Sequence, residues 1–416
     1  MKKVVLLAVF ALATAVTYAG GYRVSLQGNK ALAMGHTGVA VINSSESVFF
    51  NPAALVYLED KFSISAGVHG VFSNIAYQDA ETGANARTDS PMGTPLYLYA
   101  SYQATDWLAF GLGVYTPYGS SVEYEDDWAG SHLVNNIDLQ AIYIQPTVSF
   151  KINDKLSFGG GPIYVTGSVN FNRNLNRTLT DIDGNRSNVT IDASGVSNWG
   201  WVASAMVNLT DDLHLGATYR SEIILEAEDG DADFANIPNS PLTPFADTKF
   251  DASLPMPAEM TVGMSYDFCE SWTFAFDFNR TYWDVYNSLD IDFANPAIPD
   301  SKNARNYKNA SIYRFGMQYD ATKMFTLRAG YYFDESPVRE GYFAPETPRN
   351  DSNNFTAGLT VNIGEHLQID ASFLYSHFKE VDASYDYYFE NGVAVPFKGT
   401  YKTNAFVPGL GLTYKL

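Results

Sequence analysis

The sequence predicts an all-β protein: a transmembrane antiparallel β-barrel of about fourteen strands with an N-terminal hatch plugging its lumen. Three observations carry this. The chain alternates apolar and polar residues with a period of two. Short polar turns and long polar stretches take turns along it. The one long apolar run sits at the extreme N-terminus and is too short to span a bilayer comfortably.

The first element is a secretory signal, residues 1–19. Lys2 and Lys3 precede an apolar run from Val4 to Val16, and Thr17-Tyr18-Ala19 offers a small-residue cleavage site. No cysteine follows the cut, so no lipid anchor is expected. The single cysteine, Cys269, excludes an intrachain disulfide and a cysteine metal cluster.

A second segment, residues 20–60, lacks the alternation. Asn29 to Gly38 is rich in small residues, yet Val39, Val41, Val48, Phe49, Phe50, Leu55 and Val56 are too apolar for a solvated tail. A lumen of about fourteen strands is too wide for its own side chains to fill. This segment is therefore expected to plug it.

The barrel, residues 61–416, follows. Successive side chains of a strand face opposite sides, so a wall between lipid and lumen writes a period of two. Trp272 to Asn279 places aromatics on one face and Thr273, Ala275, Asp277 and Asn279 on the other. Leu213–Arg220, Tyr313–Tyr319, Phe355–Ile363 and the terminal Gly409–Leu416 repeat the pattern. Tight turns are expected at Thr105-Asp106, Asn153-Asp154, Asp211-Asp212, Cys269-Glu270, Ala321-Thr322 and Gly364-Glu365. Long outer connections are expected near 73–95, 117–138, 172–196, 230–256, 286–310, 335–352 and 383–400. Pro146 and Pro162 fall inside strands and are read as bulges. Trp107, Trp272, Tyr266 and Tyr319 fit interfacial girdles.

Composition agrees with such a wall. Charged residues are 17% and aromatics 15% of the chain, and 46 Asp+Glu against 26 Lys+Arg leave a net charge of -20. A nucleic-acid partner needs a basic face and is excluded. The Glu228–Asp233 run reads as a solvated outer loop facing lipopolysaccharide, and Asp181–Asn185 as an ordinary turn rather than a calcium loop.

Two motifs of the hatch carry a resemblance: Met34-Gly35-x-Thr37-Gly38-Val39-Ala40 and Phe50-Asn51-Pro52-Ala53-Ala54-Leu55. Tyr219-Arg220-Ser221-Glu222, Leu254-Pro255-Met256-Pro257 and Phe333-Asp334-Glu335-Ser336-Pro337-Val338 follow in order. Together they resemble the FadL/TodX outer-membrane transporters across the mature chain. The resemblance implies passive uptake of hydrophobic compounds, long-chain fatty acids first, through a lumen pocket and a lateral exit in the wall. It implies a gate at Asn51, Pro52 and Ala53, and a third-strand kink at Thr116, Pro117, Tyr118 and Gly119. Pro117 cannot donate to a ladder and Gly119 can bend, which suits a kink.

The resemblance also places an aromatic from the mature N-terminus in the pocket, here Tyr22. A fatty carboxylate would want a lumen cation. Arg220, Arg314 and Arg328 face inward by parity and Lys308 just precedes its strand; Lys308 and Arg314 are the foremost candidates. If neither reaches the pocket, a neutral or aromatic hydrocarbon is the better ligand. A surface barrel acting as adhesin or receptor is the alternative from another class.

No enzyme is expected. His36, His69, His132, His214, His366 and His377 show no two-histidine metal spacing, and no G-x-S-x-G occurs. Neither metal nor cofactor is expected. The expected partners are the hydrophobic ligand, outer-membrane lipid with lipopolysaccharide, and the barrel-assembly machinery. The expected state is a monomer in the bacterial outer membrane.

Overall fold

The computed structural model describes residues 21–42, 44–240 and 243–416. The predicted signal peptide lies outside the described residues. Fourteen strands form a closed antiparallel barrel. They are β1 (Phe62–His69, resuming as Phe72–Asp79), β2 (Leu96–Thr105), β3 (Leu108–Glu123), β4 (Asn136–Asn153), β5 (Leu156–Asn174) and β6 (Asn188–Asn208). Next come β7 (Leu213–Arg220, then Ile223–Ala235), β8 (Thr248–Met256, then Glu259–Cys269), β9 (Trp272–Thr281, then Ser288–Phe293) and β10 (Ala310–Asp320). The last four are β11 (Phe325–Asp334), β12 (Ser352–Ile363), β13 (Leu367–Phe378, then Val381–Tyr385) and β14 (Phe397–Lys415). Each strand pairs with the next, and β14 closes on β1 with Ser63 opposite Lys415.

Alternation sets the two faces. Phe274, Phe315, Leu327, Phe355, Leu410 and Leu412 are exposed on the outside, while Asp277, Asn279, Arg314, Thr360 and Asp370 are buried within. Trp272 stacks on Tyr319 beside the short turns, with ring centroids 4.5 Å apart, as an interfacial girdle requires.

Two expectations are corrected. Several stretches read as outer loops are strand: β5 runs to Asn174, β6 starts at Asn188, β7 runs to Ala235 and β8 starts at Thr248. Their outward positions, such as Glu226, Glu228, Asp231 and Asp233, are polar because the strands outrun the hydrocarbon layer. Hydropathy marks the edge of the lipid, whereas the hydrogen-bond ladder continues past it. Pro146 and Pro162 are not bulges either. Ladder pairs are missing there, but Ile144 opposite Tyr164 and Val148 opposite Gly160 keep one register. Proline removes a donor without adding a residue.

The segment before β1 fills the lumen with two short helices, α1 (Asn29–Ala33) and α2 (Ser47–Phe50), and a 3₁₀ turn, Pro52–Tyr57. None is long enough to satisfy its own backbone, so the wall and hatch side chains do it. Asp277 Oδ2 accepts from the N–H groups of Gly38 (2.8 Å) and Val39 (3.1 Å). Thr356 Oγ1 accepts from Gly35 N–H at 2.8 Å, and Thr218 Oγ1 donates to Phe50 O at 2.8 Å. Within the hatch the Glu46 carboxylate accepts from Lys30 and Ala31 N–H at 3.2 and 3.1 Å. Burial, partly offset by Lys30, pushes that carboxyl up to about 7. Each such bond avoids a cost of about 1–3 kcal/mol for a buried unsatisfied group.

Lumen-facing glycines let the two backbones meet. A Cβ at Gly216 would lie 1.9 Å from Val39 O, and one at Gly330 would lie 2.0 Å from Gly35 N. Gly216→Leu is therefore expected to push the hatch off the wall at a cost of about 1–3 kcal/mol. A new tryptic cut after Lys30, which is 2% exposed, together with a lower unfolding temperature, would register it. A resistant, equally stable variant would mean the hatch does not bear on this wall.

Candidate functional site

The third strand departs from its neighbour where the resemblance implies a kink. β3 follows β2 in register only as far as Tyr115 opposite Tyr97. On its other edge the register with β4 shifts between Tyr115 and Tyr118, so Thr116 and Pro117 form a bulge. The edge that β2 abandons is taken by the N-terminal segment. Val24 N–H donates to Pro117 O at 2.8 Å and Gly119 N–H to Tyr22 O at 3.0 Å. Gln27 Nε2 donates to Thr116 O at 3.3 Å. A proline at the bulge leaves no orphan donor, which is why Pro117 is tolerated there.

Tyr22 reaches into an aromatic cage. Its ring centroid lies 5.0 Å from Trp283, 5.6 Å from Tyr286 and 6.0 Å from Tyr118. Trp283 opens a 3₁₀ turn, Trp283–Val285, inserted in the middle of β9, and Tyr286 directly follows it. The Tyr22 hydroxyl donates to Pro255 O, in the Leu254-Pro255-Met256-Pro257 stretch. Burial, reinforced by Tyr286, Tyr307 and Tyr143, raises this phenol well above its ordinary value and keeps it a neutral donor.

Next to Tyr22, Arg23 is clamped by Glu259. Nε lies 2.8 Å from Oε1 and Nη2 3.0 Å from Oε2. The same carboxylate accepts from the Tyr118 hydroxyl at 3.0 Å and from Asn279 Nδ2 at 3.2 Å. One buried carboxylate thus ties the N-terminal segment, the kinked strand and β9 together. Sequence reading missed Glu259. Its signal was a lone acid heading a strand just after Pro257-Ala258, in a chain full of acids.

Two cavities flank this assembly. The smaller, about 90 Å³, is apolar and lies between Tyr22 and the inner faces of β4 to β9. Phe171, Val196, Leu225, Phe250 and Leu254 line it, and its lining contains no Lys or Arg. The larger, about 470 Å³, joins lumen-facing Tyr332, Asn354 and Leu374 to the stretch Pro91–Pro95 and to Ser120–Val122 beyond the kink. Its lining also includes Met92 and Gln140, which are exposed on the outside. Leu139 and Thr347 border both cavities.

The other predicted residues fall elsewhere. Asn51, Pro52 and Ala53 dock below the kink: Asn51 Nδ2 donates to Val39 O (2.6 Å) and Ala205 O (3.2 Å), and Ala53 O accepts from Ser157 Oγ (2.7 Å). They hold the hatch to β5 and β6, and the backbone paired with the kink is Tyr22–Val24 instead. Arg220 lies over the Phe49 ring at 4.5 Å and donates to Phe49 O at 3.3 Å, so it serves the hatch. Arg328 donates to Gln318 Oε1 at 2.8 Å, toward the short turns. Arg314 stands opposite Asp277 at hatch level. Lys308 lies 3.5 Å from Glu335. None of these four cations lines either cavity. The three arginines are buried inside the wall, as parity implies, but parity carries no height along the barrel axis.

Comparison with known proteins agrees with this architecture. A family profile described as "Outer membrane protein transport protein (OMPP1/FadL/TodX)" matches residues 10–416. The long-chain fatty acid transport protein of Escherichia coli O6:H1 is 24% identical, covering 89% of this chain and 90% of its own. A Pseudomonas aeruginosa FadL homologue superposes with a TM-score of 0.81 at 19% identity, covering 95% of this chain and 100% of the homologue. The toluene transporter TodX of P. putida gives 0.73 at 19% identity, covering 96% of this chain and 99% of TodX. The chain belongs to the OMPP1/FadL/TodX family: it is an outer-membrane β-barrel that transports hydrophobic compounds, and not an enzyme.

Proposed function

We propose that the chain admits neutral hydrophobic molecules, aromatic hydrocarbons foremost, into the small pocket behind Tyr22 and releases them sideways between β2 and β3. The carrying observation is the pocket itself: an apolar chamber without a cation, closed by an aromatic ring held in a cage of aromatic rings. A buried carboxylate without a partner is strongly disfavoured. The one acid in the lining, Glu346, is already paired with Arg305 and adds repulsion. An aromatic ligand that displaces Tyr22 meets the edge-on ring surfaces that held the phenol.

The larger cavity supports the second step. It begins at the N-terminal segment, passes the bulge and touches outward-facing residues. Its two cations are poor carboxylate sites. Arg23 is committed to Glu259, and Arg349, which donates to Arg23 O at 2.9 Å, shares the lining with Asp334. A route from lumen to wall is also more than a surface receptor requires.

In nanodiscs, radiolabelled toluene is expected to bind, and Ala252→Trp, which fills the small pocket, to abolish binding. Palmitate is expected to bind more weakly; tight palmitate binding with none for toluene would reverse the substrate reading.

Glu259 supplies a separate check on the gate. Glu259→Ala leaves Arg23 buried without its counter-charge, a loss of about 3–5 kcal/mol for a pair of this kind. The N-terminal segment should leave the kink, expose Arg23 to trypsin in the folded barrel and speed toluene passage. A segment that stays protected would show that Glu259 is not the latch.

A further inference from the structure

Several seams interrupt the ladder in the outer half of the barrel, among the described residues. The β2–β3 seam is sealed by Tyr22–Val24 and the β8–β9 seam by the inserted Trp283–Val285 turn. The β6–β7 seam has no inserted backbone. Its ladder runs to Val202 opposite Arg220 and resumes, one residue out of step, at Asp192 opposite Asp231. Between these points no ladder pair joins residues 193–201 to residues 221–230.

The strands themselves are intact there. β6 stays paired with β5 on its far edge, and β7 with β8. Only the seam is loose, and it is held by few bonds. Ser221 and Trp201 exchange two, each of 3.0 Å, and Asn198 Nδ2 donates to Ile224 O at 2.8 Å. Both lips carry a register shift: Gly195 is the extra residue on β6, and β7 shifts between Ala227 and Gly230. Bulges bend and twist a strand away from its neighbour.

What lies on either side gives the seam a use. Behind it is the small apolar pocket, with Ile191 and Val196 on one lip and Leu225 and Ala227 on the other. In front, Trp199 and Trp201 are 63% and 50% exposed, and Ile224 is 37% exposed. Above them the outward residues turn polar: Ser194 and Ser197 on β6, Glu226 and Glu228 on β7. The seam therefore straddles the boundary between hydrocarbon and head groups. Unladdered backbone is prohibitive in the hydrocarbon core but can be met by water at this height.

We propose that the β6–β7 seam is a second lateral door, through which neutral hydrocarbons dissolved at the outer edge of the membrane reach the pocket behind Tyr22. This rests on the transport reading above, and it separates entrance from exit. Molecules come in between β6 and β7 and leave past the N-terminal segment between β2 and β3.

The test is a bridge across the lips. Ser197→Cys and Glu226→Cys, both exposed, are combined in a Cys269→Ser background and joined on the folded protein in cells by a cleavable bismaleimide. Toluene uptake should fall in proportion to the fraction of protein bridged, because a locked gate cannot pass its ligand, and return when the linker is cleaved. Each single cysteine with the same reagent should leave uptake unchanged. Full bridging with undiminished uptake overturns the second door alone. If the unbridged protein takes up no toluene, the transport reading falls and this proposal with it.

Discussion

Within a bilayer every backbone N–H and C=O must find a partner inside the protein, and each one left unmade costs several kcal/mol. That requirement closes the sheet on itself, with β14 on β1. It also makes any interruption of the ladder conspicuous, because something else must serve the freed groups. Here the interruptions in the outer half are served by an N-terminal segment, by an aromatic turn and by side chains. The two cavities lie against those same places. The wall is tight where strands pair and open to chemistry where they part.

The same requirement governs the interior. The hatch is too short of regular structure to satisfy itself, so Asp277, Thr356, Thr218 and Ser265 of the wall do so. Glycines at lumen-facing positions bring backbone against backbone. The result is a blocked aqueous axis, and this is what motivates the proposed sideways path for a hydrophobic molecule. On that proposed path the ligand does not cross water, which would spare it about 0.8 kcal/mol per CH₂ of exposed chain.

Much of this was legible in the sequence because a two-sided wall writes a two-residue period. Phe274, Phe276 and Phe278 against Ala275, Asp277 and Asn279 gave face and strand together. The tight turns were marked by polar residues at regular spacing. The resemblance, read with the cleavage site, pointed to Tyr22, and it pointed to a kink at Pro117, whose missing donor suits one. The outer ends of β5 to β8 were misread because polar side chains say where lipid stops, not where pairing stops. Arg314 faces inward as parity implies, yet neither it nor Lys308, which precedes its strand, lines a cavity, since parity carries no height. Glu259 and the β6–β7 seam arise from contacts far apart in the chain, where a single sequence has no signal.

The central claim is that the N-terminal segment is a removable seal on the β2–β3 seam, while the paired wall stays shut. Amide hydrogen exchange, with and without saturating toluene, tests it most directly. Faster exchange at Val24 and Gly119, with protection unchanged at Gly113 on β3 and Leu359 on β12, is the expected result. Toluene passage with Val24 and Gly119 still fully protected, or a loss of protection spread evenly around the barrel, would contradict it.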